Sequence, residues 1–407
     1  MSVIPLGGDR INLGRRSVRS RSHCRLVFNL QGRWKLRIHC GRTQQVPGHQ
    51  CCAAQPMTTI EFDQNSARET RQRRACGSSV ITPSIMLSPL TQREAVLSSR
   101  IEGTQATVDE VLEYEAGIEF DTEKTNDIKE VVNYRKTLTL ASESLKHQPI
   151  TLTLIRQMHA VLMDHVRGSD KSPGQFRIEQ NWIGASDSTI EMAKFVPPDP
   201  LQLPIHLDAF EKYIGSDDID TLIQCAVVHA QFEILHPFKD GNGRIGRLLI
   251  PLFLFQKRAL SSPMFYLSEF LEEHREEYYQ RLRAIGDEGG WTAWVGFFLK
   301  AVETQALSNC NRVRGILNLY NDMKSRVSDV THSQYSPAIL DALFDRPIFQ
   351  TPDFVTRSGI PKPTAAIVVR KLREADILLV IREASGSRPA ILAFRELVNQ
   401  AEGKRVL

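Results

Sequence analysis

His236 to Arg247 reads HPFKDGNGRIGR and directly follows the apolar stretch TLIQCAVVHAQFEIL at Thr221–Leu235. The apolar stretch has the composition of a buried helix. The Gly-Asn-Gly turn, with Asp240 ahead of it, suits a chain bending through positive φ with backbone N–H groups facing one concavity. Arg244 opens the next helix, RIGRLLIPLFLFQKRAL. A helix N-terminus straight after a glycine turn attracts anions, because its free N–H groups and positive dipole end are open to approach. Arg244 and Arg247 are three apart, so they share a face and can both reach a polyphosphate. Asp240 beside such anions calls for a cation, and a single carboxylate next to phosphates is a usual way of holding Mg²⁺. His236, one turn upstream of Asp240, is placed to take a proton from a hydroxyl attacking the bound phosphate. The chemistry implied is attack of an alcohol on a nucleotide phosphate. His229, on the same apolar run, reads as a satisfied core histidine, and Phe238 as a plug into the core.

Outward from the loop the pattern is helical. Order is expected to begin near Thr82. LTQREAVLSSRIEG spaces Leu90, Ala95 and Val96 as a helix and stops at Gly103, a good left-handed terminator. Thr107 opens another helix, with Glu110 completing a capping box. Amphipathic patterns continue through NDIKEVVNYRKTLTLASESL and TLTLIRQMHAVLMDHV. One interruption, GQFRIEQNWIGASDSTIEMAKFVPPDP from Gly174, predicts a short β-hairpin around Trp182–Ile183 and Phe195–Val196. Helices resume at Leu203 and run, with breaks, to about Met323. The fold class is mainly α, a helical bundle with a short hairpin flap.

After the Ser/Thr-rich SRVSDVTHSQYS, three helical patterns precede two strands joined by Ser-Gly-Ser, the order of a winged-helix domain. Thr364–Leu372 would be its recognition-type helix, carrying Arg370 and Lys371. Such modules contact DNA or protein, and both partners stay open. The expected divisions are a basic extension at 1–79, an N-terminal region at 80–120, a core domain at 121–325 and the winged helix at 330–400.

Charge and cysteine are unevenly spread over the 407 residues. The net charge is +4, yet residues 1–78 hold 14 Lys+Arg against 4 Asp+Glu, leaving the rest acidic with 37 against 43. An acidic body gives no electrostatic sign of a nucleic-acid-binding core. Five of the seven cysteines lie before residue 79, without the paired spacing of a zinc site. Cys225 and Cys310 read as reduced thiols of a cytoplasmic protein. No apolar run approaches the ~20 residues of a membrane span, and no secretory signal follows the early arginines. Residues 1–78, with RRSVRSRSHCR and RQRR, read as a poorly ordered extension or as sequence upstream of a start at Met57 or Met86. A nucleic-acid arm is the alternative.

HPFKDGNGRIGR resembles the full signature of the Fic family, H-x-F-x-(D/E)-G-N-G-R-x-x-R, at every specified position. FRIEQNWIG…AKFVPPDP is similar to the family's target-positioning flap, and PMFYLSEFLEEHREEYYQRL to its following helices. The resemblance spans about residues 82–395. It implies transfer of AMP from ATP to a Tyr, Thr or Ser hydroxyl of a target protein. Carried over, His236 is the general base and Asp240 holds Mg²⁺ between the α- and β-phosphates. Gly241, Asn242 and Gly243 form the anion hole, with Ile245 and Gly246 beside the nucleotide. Arg244 helps hold the phosphates and Arg247 grips the γ-phosphate. Ile183, Gly184, Ala185 and Ser186 of the flap line the nucleotide and present backbone to an extended target. Tyr278 is carried over to the adenine pocket, while an asparagine that some relatives carry is Gly286 here.

SSRIEG resembles the family's inhibitory signature, (S/T)-x-x-x-E-(G/N), with Ser98, Glu102 and Gly103 in its specified places. The implied role is that Glu102 pairs with Arg247 and withholds it from the γ-phosphate. Residues 1–78 depart from the apolar helical sequence that relatives carry before this helix. Other readings stay open: AMP removal with Glu102 orienting a water, another nucleotide donor, a DNA-binding regulator that senses nucleotide, and a homodimer.

Overall fold

A computed structural model describes residues 22–28, 34–40, 83–166, 170–184, 189–218, 220–286, 290–386, 388–403 and 405. The chain divides into two units, one of them Gly7–Val80. In that smaller unit two strands, β1 (Ser22–Phe28) and β2 (Trp34–Cys40), pair antiparallel from Ser22↔Cys40 to Phe28↔Trp34. The sequence had suggested no regular element there. The remainder of the expected basic extension lies outside the described residues.

The main unit is helical. Its first helix, α1 (Pro83–Ile101), is followed by α2 (Val108–Glu115), α3 (Thr122–Ser144) and α4 (Leu152–Leu162). The capping box at Thr107 forms as expected: Thr107 Oγ1 accepts from Glu110 N, and Glu110 Oε2 accepts from Thr107 N at 2.8 Å. After the flap come α5 (Leu203–Gly215), α6 (Thr221–Leu235), α7 (Asn242–Gln256), α8 (Ser268–Glu273) and α9 (Arg275–Arg283). The flap is thinner than a hairpin. Among the described residues of the flap a single antiparallel bridge joins Ile183 to Phe195, with Ile183 N donating to Phe195 O at 2.9 Å. A 3-10 turn at Ile190–Met192 then takes up chain that strands would need.

Helix α6 occupies the centre. Asp220 caps its start by accepting from Leu222 N and Ile223 N. Phe210 of α5, Phe232 of α6 and Leu248 of α7 are fully buried around it. Each such side chain contributes roughly 1.5–3 kcal/mol by leaving water, so the loop after α6 hangs on a rigid frame.

The long helix α10 (Gly290–Thr331) runs unbroken through the predicted linker. Ile316, Tyr320, Met323, Val327 and Thr331 are all buried at helical spacing, and this stripe outweighs the exposed Ser and Asp residues that suggested a break. Beyond it lie α11 (Ser336–Asp345), β3 (Ile348–Gln350), α12 (Thr351–Ser358), α13 (Lys362–Glu374), β4 (Leu379–Arg382), β5 (Ile391–Ala393) and α14 (Arg395–Glu402). The strands form an antiparallel sheet in the order β3-β5-β4. Neither β3 nor α14 was legible beforehand: three residues are too few for a pattern. Helix α1 packs against α3 and α8, and also against α11 and α14. No helix among the described residues is long and apolar enough to cross a membrane.

Candidate active site

The loop between α6 and α7 is built from two left-handed residues. His236 ends α6 at φ 45° and Gly241 opens α7 at φ 74°. A left-handed histidine is strained, and Arg177 stabilises it from behind. Its Nε donates to His236 O at 2.9 Å, its Nη2 to Pro198 O at 2.6 Å, and its backbone N to Pro237 O at 2.8 Å. Asn242 closes the loop on itself: Oδ1 accepts from Phe238 N and Nδ2 donates to Phe238 O, both at 2.9 Å. Its side chain is therefore spent on shape, which leaves backbone N–H groups as the donors at this turn. The N–H groups of Asn242, Gly243 and Arg244 precede the first helical bond, from Ile245 N to Gly241 O.

His159 of α4 forms the floor. Gly174 N donates to its Nδ1 at 2.8 Å, which leaves Nε2–H to donate to Asp240 O at 2.9 Å. Its ring stacks on Phe238, 3.8 Å between centroids, and Phe238 is the buried plug expected of it. Burial pushes the His159 imidazole down to about 4 and keeps it neutral. His236 is likewise pushed down to about 4, mainly by burial, and its Nδ1 has no hydrogen-bond partner. A neutral imidazole at neutral pH has a free lone pair, which is the state a base needs. Asp240 is the exposed acid of the loop, its side chain 45% accessible, with Oδ1 accepting from Gly241 N. Among the described residues no cluster of three or more His, Cys, Asp or Glu could hold a metal alone.

The two arginines part company. Arg244 is buried and faces Glu130, Nη1 to Oε2 at 3.3 Å, with Asp240 Oδ1 at 3.8 Å from its Nη2. Glu130 Oε2 also accepts from Thr104 Oγ1 at 2.6 Å. Arg247 turns to α1: Nε donates to Ser98 Oγ at 2.8 Å, and Nη2 to Ser98 O at 2.8 Å and to Glu102 Oε1 at 2.6 Å. Burial would raise the Glu102 carboxyl, but the adjoining Arg247 outweighs it and holds Glu102 ionised. Burial also opposes the charge on Arg247, and Glu102 again outweighs it. A Cβ on Gly243 would lie 2.1 Å from Glu102 Oε1, so the second glycine of the turn makes this pair sterically possible. Gly103 ends the α1 turn at φ 100°.

The remaining predicted residues are unevenly placed. Ile183 and Gly184 line a cavity with Phe195, Glu233, Tyr279 and Arg283. Ala185 and Ser186 lie outside the described residues. Ile245 is wholly buried in α7, and Gly246 gives its carbonyl to His229 Nδ1. Since a carbonyl can only accept, His229 carries its proton on Nδ1, and Nε2 accepts from the Tyr278 hydroxyl at 2.9 Å. His229 is thus the satisfied core histidine expected. Tyr278 is fully buried with its hydroxyl on His229, and Tyr279 lines the cavity. Arg177, His159 and Glu130 were missed. Each reaches the loop from a distant segment and carries no local signal.

Residues 149–254 match the Fic/DOC family and residues 73–143 the Fic/DOC family N-terminal region. Residues 73–254 thus resemble a Fic/DOC domain together with its N-terminal region. A probable protein adenylyltransferase of Aquifex aeolicus is 26% identical over 204 residues, covering 48% of this chain and 55% of the relative. The protein adenylyltransferase Fic of Aedes aegypti is 26% identical over 272 residues, covering 63% and 51%. That of Drosophila erecta is 31% identical over 157 residues, covering 38% and 28%. The chain thus spans about half or less of the length of these curated relatives. A Fic family protein from Desulfovibrio desulfuricans aligns over 78% of this chain and 97% of its own, at 18% identity and a TM-score of 0.45.

Proposed function

We propose that this protein transfers AMP from ATP to a hydroxyl of a target protein, and that Glu102 restrains the reaction by occupying Arg247. The observation that carries the reading is the juxtaposition of a neutral His236, an open helix N-terminus at Asn242–Arg244, and Arg247 engaged by Ser98 and Glu102. The names of the similar proteins support the adenylyl reading.

ATP's phosphates would lie at the N-terminus of α7, where backbone N–H groups meet their charge without reorganising. The target oxygen attacks the α-phosphorus as its proton passes to His236. The bond to pyrophosphate breaks, and the leaving group's charge is met at Arg247 once Glu102 has moved away. Asp240, exposed and beside the phosphates' place, fits as the one protein ligand of Mg²⁺, which would supply charge neutralisation when bound. Arg244 is assigned a positioning role through Glu130 and Asp240. The bridge at Ile183 and Phe195 would present backbone to an extended target segment.

By the same reading residues 80–120 are the inhibitory region, 121–325 the catalytic core and 330–400 a winged-helix module. The module is assigned a protein-facing role. Lys371 Nζ is turned inward onto Thr331 O at 3.0 Å, and Arg370 lies 3.8 Å from Glu374. Incubating the chain and a cell lysate with ATP labelled at the α- or at the γ-phosphate tests the transfer. Label that depends on the added chain is expected from the α position alone; chain-dependent label from the γ position contradicts adenylyl transfer.

A further inference from the structure

Helix α1 stops at the residue on which inhibition depends. Glu102 follows its last turn and Gly103 takes φ 100°. Two backbone bonds close the stop, from Gly103 N to Arg100 O at 2.9 Å and from Thr104 N to Ser99 O at 3.2 Å. This is the pairing of a Schellman stop, with glycine in the left-handed place and Glu102 as the cap residue before it. Both bonds stay within the end of α1, and helix ends held only by themselves fray.

The hold from outside comes from α3. Thr104 is buried, and its Oγ1 donates to Glu130 Oε2 at 2.6 Å. The backbone N of Gln105 donates to Asp127 Oδ2 at 2.7 Å. Asp127 and Glu130 are buried and three apart on α3, so two carboxylates on one helical face grip two consecutive residues. A hydroxyl bond of that length to a carboxylate is charge-assisted and roughly twice as strong as a neutral one. Glu130 Oε2 also lies 3.3 Å from Arg244 Nη1. Each arginine of the loop is therefore tied to the turn at 102–104, Arg247 by Glu102 directly and Arg244 through Glu130 and Thr104.

We propose that Thr104 is a second inhibitory latch, a positioning residue whose bond to Glu130 holds the stop of α1 so that Glu102 stays on Arg247; this rests on the inhibitory reading of Glu102 above. One glycine separates the two residues, so their Cα atoms can stand at most about 7 Å apart. The backbone under Glu102 thus has little travel while Thr104 stays seated. Movement of the last turn away from Arg247 opens the Thr104 bond as well.

The test compares initial rates of chain-dependent label transfer from α-labelled ATP to lysate protein. The full chain is used with Thr104 intact or changed to Val, Ala or Ser, each with Glu102 intact and with Glu102→Gly. With Glu102 in place, Thr104→Val should raise the rate about two- to fivefold. Thr104→Ser should keep the parent's rate, because serine restores the donor, and Thr104→Ala reads the same gain should the valine variant fail to fold. In the Glu102→Gly chain none of the three should add to the rate. Hydrogen exchange separates a local latch from general loosening: Thr104→Val should speed the amides of 102–105 by a similar factor and leave those around Arg93 unchanged. No gain from valine or alanine, an equal gain in the Glu102→Gly chain, or faster exchange around Arg93 as well overturns the inference. A Glu102→Gly chain no faster than the unaltered one removes the inhibitory reading itself, and this inference with it.

Discussion

At Arg93, α1 is fastened to two other helices and, through one of them, to a third. Its guanidinium pairs with Glu269 of α8 at 2.7 Å and with Glu402 of α14 at 2.7 Å. Glu269 in turn takes two bonds of 2.6 Å from Arg312 of α10 and one from Gln305. Next to Arg93, Glu94 accepts from Ser268 Oγ at 2.6 Å and from the Tyr134 hydroxyl at 3.2 Å. At the C-terminal end, Glu102 has 32% of its side chain exposed and rests on Arg247. The helix is anchored at its middle by residues that do no chemistry, and Glu102, proposed to inhibit, follows its last turn. Such an arrangement lets the last turn release Arg247 while the rest of α1 stays docked.

Four substitutions probe that difference. In a Glu102→Gly background, His236→Ala should lower the initial rate of AMP transfer by about 10²- to 10⁴-fold, the usual contribution of a positioned base. This sets the floor for the others. Glu269→Ala leaves Arg93 and Arg312 facing each other without their shared partner. Stability in urea should fall by about 3 kcal/mol, and an unchanged midpoint would show that the Arg93 cluster does not anchor α1. Glu102→Gly should move that midpoint far less, because its contact is partly solvated and single. Ser98→Ala removes one of the three bonds on Arg247, and a gain in transfer of about two- to fivefold is expected. The pH profile is the subtlest check. Burial places the folded His236 near 4, so the base form persists through neutral pH, and removing Glu102 takes away a charge that raised it. The Glu102→Gly rate should therefore not fall between pH 7.5 and 6, where an ordinary imidazole would lose more than half of its neutral form.

How much of this was legible follows from locality. The loop His236–Arg247 could be read nearly whole, because a turn, a helix start and a base were all written in adjacent residues. Ser98 and Glu102 could be read as a helical pair, but their link to Arg247 came only through family resemblance, since spacing says nothing about a partner so distant. Arg177, His159 and Glu130 hold the loop from three separate segments and left no pattern at all. The end of α10 was misread because its polar residues are consecutive, whereas its buried stripe shows only at helical period.

The central claim is that Glu102 inhibits by holding Arg247, and a double-mutant comparison of initial AMP-transfer rates tests it most directly. Glu102→Gly should raise the rate about tenfold in the otherwise unchanged chain, the worth of one partly exposed charge-assisted hydrogen bond. In a chain carrying Arg247→Ala the same change should give no gain. An equal gain in both chains, or no gain in either while ATP still binds, would contradict the account.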